Sequence, residues 1–309
     1  MSGANGSNGV SVIIPTTGRP ELARAVRSAL AQEDAGTIEV IIVDDSGSGA
    51  SQLACEDSGA VVLHTAGRQG SSFARNLGIR AATQPWVAYL DDDDAFLPGK
   101  LQSQLRVGAK TMADTRMRPI ISSQVEQVSG ERRVGPIPAE VYDGGEVSTY
   151  LFRRRRPGAG RASAYTSTLL CPRDIALEVP WDEDLSRHTD WDWLIRATSR
   201  SDTVLVQIAE VQVEIYPNSS GSISARSDWE TSLEWGTKEI LPKSRQVYAD
   251  FVAAQPLRYA TLSRSLAGVI QCFAHLWIAR RFPAWGPLMI GASGVLSRKA
   301  LEKLMMRLR

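Results

Sequence analysis

Cysteine is scarce in this chain, and what little there is excludes two classes of protein. Cys55, Cys171 and Cys272 are odd in number, far apart and in no metal-ligand spacing, so neither a disulfide framework nor a cysteine zinc site is expected. A reducing, cytoplasmic compartment suits such a chain. Long apolar runs are also missing. The longest uncharged runs of the C-terminal region, 265–279 and 282–297, fall short of the ~18 to 20 residues of a spanning helix, and the second contains Pro and Gly. The opening MSGANGSNG has neither a basic nor an apolar stretch, so residues 1–9 are expected to be a flexible tail and not a signal peptide.

What is present is an ordinary globular composition with an uneven charge. At 309 residues, 43% hydrophobic and 22% charged, the chain can bury a core in one large or two modest domains. From residue 240 onward, eleven Lys or Arg face only Asp250 and Glu302, a net of +9; the total is +1, so residues 1–239 carry −8. The two regions therefore suit different partners. An acidic front part without a basic, aromatic-studded surface argues against nucleic acid.

The front part alternates strand and helix patterns. VSVIIPTTGRP is a β-branched run closed by turn residues, and ELARAVRSALAQ follows with Leu22, Val26, Ala29 and Leu30 at helical spacing. IEVIIVDDSGSG and AVVLHT read as further strands, SSFARNLGIRAAT as a helix and PWVAYL as a fourth strand. Buried strands alternating with helices predict an α/β fold with a parallel, doubly wound sheet. Ligands of such sheets bind beyond the carboxyl ends of the strands. IPTTG, VDDSG and LDDDD all fall at those ends, so three polar clusters are expected in one crevice.

The run Asp91, Asp92, Asp93, Asp94 has no basic residue interspersed. Adjacent carboxylates in a crevice make sense where a hard divalent cation, Mg²⁺ or Mn²⁺, neutralises them and shares its shell with substrate phosphates. The alternative is an acidic loop that caps a helix beginning near Pro98. A phosphoacceptor receiver domain would also place an acidic pair before a later Asp. Here a strand precedes the pair, and no Lys-Pro dipeptide occurs to complete that pattern.

Taken together and in order, VSVIIPTTGRPELARAVRSALAQ, IEVIIVDDSGSG, GSSFARNLGIRAATQPWVAYLDDDDAFLPGKL and WDEDLSRHTDWDWLIRA resemble the inverting family 2 glycosyltransferases of GT-A fold. The likeness spans roughly residues 10–225, leaving 226–309 as a basic helical extension. It implies a nucleotide-sugar donor, most often UDP-linked, a Mn²⁺ or Mg²⁺ cofactor and a GT-A, Rossmann-like sheet. The acceptor hydroxyl would belong to a glycan, a lipid-linked molecule or a small molecule. A nucleotidyltransferase shares the α/β sheet and Mg²⁺ but wants a Gly-rich basic loop near the first strand, which PTTGRPEL is not. A nucleotide-sugar-binding protein without turnover is the alternative of another class.

By the same resemblance, Pro15 and Thr16 match the nucleotide-edge turn and Asp45 the carboxylate that reads the base, while Asp44 fixes the loop. Gly70 and Arg75 fall in the block lining the nucleotide pocket, where the guanidinium reaches either phosphate or an Asp carboxylate. Asp91 and Asp93 match the two aspartates of the Asp-x-Asp motif, Asp92 lies between them, and Asp93 is the metal-ligand candidate. Asp94 is expected to cap the following turn. Asp190 aligns with the general base that takes the acceptor proton. Thr189 departs from the usual acidic residue there, and Asp192 is either a loop anchor or the base itself. His188 is a structural donor or an acceptor contact. Of Trp181, Trp191 and Trp193, two are expected in the core.

Three further segments bear on partners. By the same resemblance, the Ser/Gly-rich 215–226 stands where the family has a loop that closes over the diphosphate, which here would act through Ser222, Ser224 and backbone N–H groups or through Arg226. LFRRRRPGAGR, 151–161, is either a solvated basic loop or a grip on an anionic acceptor. In the extension, Leu262, Leu266, Val269, Ile270, Phe273, Leu276 and Trp277 recur at helical spacing, and SRKALEKLMMRLR reads as a second amphipathic helix. Such helices need a surface to cover: the catalytic domain, a second subunit in a homodimer, or an anionic inner membrane leaflet to which the protein would attach peripherally.

Overall fold

The computed structural model describes residues 9–49, 58–153, 162–217 and 228–295. Cys55, the 1–9 tail up to residue 8, most of the 151–161 and 215–226 segments and the 297–309 helix lie outside the described residues. The chain divides into two compact units, Met1–Gly144 with Gly160–Ser222, and Gly145–Ala159 with Ile223–Arg309. The division near 222 lies close to the expected 225/226 boundary. Residues 145–159, assigned from sequence to the catalytic part, group instead with the helical unit.

The first unit is built on one sheet. β1 (Val10–Thr16) is followed by α1 (Leu22–Leu30), β2 (Ile38–Asp44), β3 (Val61–His64), α2 (Ser71–Ala81) and β4 (Trp86–Tyr89). β1 lies between β2 and β4, parallel to both, and β3 extends the sheet beyond β2. Val10, Val12, Ile13 and Ile14 are all buried because both faces of the strand are covered, which explains a continuous β-branched run. Leu22, Ala25, Val26 and Ala29 of α1 pack into the same core. Leu30, expected on that face, is exposed and Ala25 takes its place.

The parallel sheet expected from sequence is continuous only over these four strands. After β5 (Ala95–Phe96), α3 (Lys100–Thr115), β6 (Arg118–Ser129) and β7 (Arg132–Ile137), the chain adds β8 (Leu170–Pro172), α5 (Arg173–Glu178), α6 (Thr189–Thr198) and β9 (Thr203–Ile215), with α4 (Val147–Phe152) lying in the other unit. The order is β3-β2-β1-β4-β8-β6-β9-β5, with β7 paired to β6. β8 runs antiparallel to β4 and to β6, whereas β6 and β9 are parallel. The sheet is therefore mixed. A three-residue β8 reaches its place from a distant part of the chain, and local pattern carries no sign of its direction.

A polar seam crosses the core beneath α3. Lys100 is fully buried, and its Nζ donates to Gln104 Oε1 at 2.8 Å and lies 4.1 Å from the Phe96 ring centroid. Gln104 Nε2 donates to the Thr168 carbonyl at 2.8 Å, and Ser122 and Thr168 share a hydrogen bond of 2.8 Å. Burial pushes the Lys100 amine down to about 7.

The second unit is helical: α4, then α7 (Trp229–Glu239), α8 (Arg245–Ala254), α9 (Pro256–Leu262), α10 (Leu266–Ala279) and α11 (Trp285–Ala292). Phe152 meets Trp235 and Phe251 edge-on, at 6.1 and 5.0 Å between ring centroids. Among the described residues no helix is long and apolar enough to cross a membrane.

Candidate functional site

Register places the polar clusters side by side. Thr16, last residue of β1, pairs with Asp44, and Pro15 with Val43. The Leu90 N–H donates to the Ile13 carbonyl at 3.0 Å, so the turn after β4 begins against β1. The three strand ends thus converge as the alternating pattern implied.

Each aspartate of the run has a different environment. Asp91 is half-buried and accepts from Arg75 Nη2 at 2.7 Å. Asp92 is buried; it accepts the Thr16 hydroxyl at 2.6 Å and lies 3.5 Å from Arg19 Nη1. Burial pushes Asp92 up to about 6, against the hydrogen bond from Thr16. Asp93 accepts from Arg19 Nη1 at 2.9 Å, and its carbonyl accepts from Arg24 Nη2 at 2.5 Å. Asp94 is buried and accepts the Ser167 hydroxyl at 2.5 Å, while Ser167 accepts the Asp91 N–H at 3.1 Å. Burial, with Asp91 adding, raises Asp94 well above the ordinary carboxylate range.

Two expectations for this run are corrected. α3 starts after Gly99 with no side-chain cap and no acidic residue in its first turn, so the acidic loop does not cap it. Asp94 likewise turns to Ser167 and not to the following turn. The reason is geometric: the 91–94 turn, closed by the Asp94 N–H on the Asp91 carbonyl at 3.1 Å, leads into β5 before the helix begins.

Asp44 and Asp45 organise the neighbouring loop. Asp44 accepts the Ser46 N–H at 2.8 Å. Asp45 is buried and accepts the Thr65 hydroxyl, the Gln69 N–H at 2.9 Å and the Gly70 N–H at 2.8 Å. Gly70 has φ 95° as it opens α2, a conformation glycine adopts without steric cost. Asp45 and Gly70 are therefore bonded to each other, and together they set where α2 starts.

Arg75 projects from α2. It is buried, its guanidinium carbon lies 4.6 Å from the Trp181 ring centroid, and its Nε and Nη1 are closed off without a hydrogen-bond partner among the described residues. Of the two expected partners for this guanidinium, the structure pairs it with the Asp91 carboxylate.

Asp190 sits in the first turn of α6 and accepts the Trp191 N–H at 2.9 Å. Burial raises its pKa; Arg75 opposes the rise and Asp91 adds to it, which brings Asp190 into one electrostatic cluster with both. Asp192, two residues on, is buried and accepts from Arg196 Nε at 2.7 Å. His188 is buried, pushed down to about 3 by burial and by Arg187, and stacks on Trp191 at 4.6 Å. Trp181 and Trp193 are the two core tryptophans, stacked at 5.3 Å with Tyr89 edge-on to both, while Trp191 is half-buried.

One residue that pattern reading passed over positions the whole segment. Asn76, beside Arg75 on α2, donates to the Trp181 carbonyl at 2.8 Å and to Glu183 at 2.7 Å, and accepts the Trp181 N–H at 2.9 Å. The signal available was a buried-face amide in a helix, which by itself names no partner.

A divalent cation fits the oxygen donors here. Asp91 and Asp93 lie on a partly exposed turn at the strand ends, with side chains 37% and 18% exposed, and one or two carboxylates plus substrate phosphates suffice for Mg²⁺. Among the described residues no group of three or more His, Cys, Asp or Glu stands in ligating array. Arg19 and Arg75 supply positive charge to the same carboxylates.

Comparison with known proteins agrees with this arrangement. Residues 11–138 match the family model for glycosyl transferase family 2. The amylovoran biosynthesis glycosyltransferase AmsB of Erwinia amylovora is 28% identical over 283 residues, 88% of this chain and 91% of that protein. The succinoglycan biosynthesis protein ExoO of Rhizobium meliloti is 30% identical over 139 residues, covering 43% of this chain and 40% of its own length. In fold, the chain resembles residues 1–349 of S. aureus TarS, crystallised with UDP-GlcNAc, at a TM-score of 0.61 and 14% identity over 88% of this chain and 81% of that one. With the strand order, the convergent strand ends and these relatives together, the chain is a glycosyltransferase of GT-A fold whose residues 11–138 match the glycosyl transferase family 2 model.

Proposed function

We propose that the chain moves a sugar from a UDP-linked donor to an acceptor hydroxyl by a single displacement with inversion, in the synthesis of a polysaccharide or glycoconjugate. The convergence of Asp190, Asp91 and Arg75 beyond the strand ends carries this reading. Asp190 takes the acceptor proton as the acceptor oxygen bonds to the anomeric carbon. The bond from that carbon to the diphosphate breaks, and its electron pair leaves with the nucleoside diphosphate. A carboxylate raised above its ordinary pKa is the stronger base for that step. Asp192, held by Arg196, anchors the helix. Mg²⁺ or Mn²⁺, held by Asp93 with Asp91, would supply positive charge to the leaving diphosphate. Thr16, Pro15, Asp45 and Gly70 shape the nucleotide edge, and Asp92 ties β1 to the acidic turn.

The names of AmsB and ExoO, both polysaccharide biosynthesis proteins, support a glycan or lipid-linked glycan as acceptor. Nucleotide sugars are made in the cytoplasm, which is where this reaction would run. The test is a thermal-shift screen of UDP, GDP and dTDP sugars with Mn²⁺, followed by turnover with the stabilising donor. Release of UDP that depends on acceptor, with the anomeric configuration inverted by NMR, is the expected result. Retained configuration would overturn the single displacement.

A further inference from the structure

The helix α10 carries two stripes at the same periodicity, and only one is packed. Gly268, Cys272, His275 and Ala279 recur at intervals of four, three and four residues, and this is the stripe that faces the unit: Gly268, Cys272 and Ala279 are buried and His275 Nδ1 bonds the Tyr248 hydroxyl at 2.5 Å. Close approach requires those small residues, since a Cβ on Gly268 would lie 2.7 Å from Trp229. Leu266, Ile270, Phe273 and Trp277 repeat the same intervals two residues earlier, on the opposite side of the helix. They are exposed, Leu266 at 74% and Trp277 at 85%.

The exposed stripe continues past the helix. Phe282 is 94% exposed and Trp285 70%. The turn presenting Phe282 is pinned, because its carbonyl accepts from Gln246 Nε2 at 2.9 Å and the Ala284 N–H donates to Asp250 at 2.6 Å. Bulky apolar side chains are thus held outward by an ordered backbone. The charge of this segment has one sign: no Asp or Glu occurs from residue 251 to 301, while Arg264, Arg280 and Arg281 flank α10 and are exposed.

We infer that this face of α10 and the following turn lies in the interfacial region of an anionic lipid bilayer, with Trp277 and Phe282 entering the acyl boundary and Arg280 and Arg281 at the phosphates. Aromatic side chains flanked by exposed cations, with the one carboxylate at the turn, Asp250, fully buried, match the headgroup level of such a surface. The same charge disfavours a second copy of this face, because the arginines of two such segments would be brought together and neither segment carries an acidic residue from 251 to 301.

Sedimentation of the full chain with vesicles tests this without donor or acceptor, so it stands apart from the glycosyl-transfer reading. Strong binding is expected to vesicles of equal parts phosphatidylglycerol and phosphatidylcholine, falling at high salt. Arg280→Gln with Arg281→Gln should weaken it about 30-fold, from about 1 kcal/mol per basic residue. Trp277→Ser with Phe282→Ser should weaken it about tenfold or more, and both pairs are exposed enough to leave the fold intact. Equal binding to pure phosphatidylcholine overturns the inference. So does failure to bind, whether sedimentation equilibrium then reports a dimer that Trp277→Ser disrupts or a monomer.

Discussion

Replacing Lys100 by Met tests the energetics of the buried seam beneath α3. The amine is 1% exposed, and burial lowers its pKa from 10.5 to about 7. At pH 7 the unfolded chain is almost fully protonated there while the folded chain is half so. A change of that size corresponds to about 4 kcal/mol of lost stability at about 1.4 kcal/mol per tenfold. Between about pH 7 and 10.5 the unfolded state binds the extra proton, so this contribution makes stability rise with pH, and it is flat outside that window. Lys100→Met removes the penalty but orphans the Gln104 carbonyl oxygen, at a cost of about 1 to 3 kcal/mol. A net gain of about 1 to 3 kcal/mol near pH 7 follows. Urea unfolding of parent and variant in parallel cancels every other titrating group. The advantage of the variant should shrink by about 3 kcal/mol between about pH 7.5 and 9.5 and reverse at the upper end. A difference that stays constant with pH, or a variant less stable at pH 7, would refute the reasoning.

Four further substitutions probe the site. Asp190→Asn should lower turnover by about 10²- to 10⁴-fold with donor affinity unchanged, and the acidic limb of kcat/KM should lie above the ordinary carboxylate range because activity is lost as pH falls through a raised pKa. Asp192→Asn should mainly lower Tm, by releasing Arg196; a dead Asp192→Asn beside an active Asp190→Asn would reassign the base. Asp93→Ala should abolish Mn²⁺-dependent UDP binding measured by calorimetry, and unchanged binding would remove Asp93 from the metal's ligands. Asn76→Ala should cost about 2 to 4 kcal/mol in thermal unfolding, since it leaves the Trp181 N–H and carbonyl without their partner.

What sequence alone determined was the part of the molecule where residue type and local spacing suffice. Continuous β-branched runs ending in polar residues specify β1, β2 and β4 and the position of Thr16, Asp45 and Asp91 at their ends, because a strand covered on both faces has no other composition open to it. The acidic residues at the start of α6 were legible through the likeness of WDEDLSRHTDWDWLIRA to the glycosyltransferase segment that carries the base. Tertiary structure decided what depends on partners distant in the chain. The antiparallel β8, the pairing of Asp94 with Ser167 and the hold of Asn76 on Trp181 all span more than 70 residues or arise from a three-residue strand, and no periodicity encodes them. Lys100 reads as a surface lysine in any local window and is buried in the fold, with its amine over the Phe96 ring of β5 and bonded to Gln104 one turn on in α3. The two stripes of α10 make the point most simply. Both have helical spacing, and hydrophobicity favours burying the bulky one. Backbone proximity to Trp229 and Ala260 admits only the small one, which leaves Leu266, Ile270, Phe273 and Trp277 facing out.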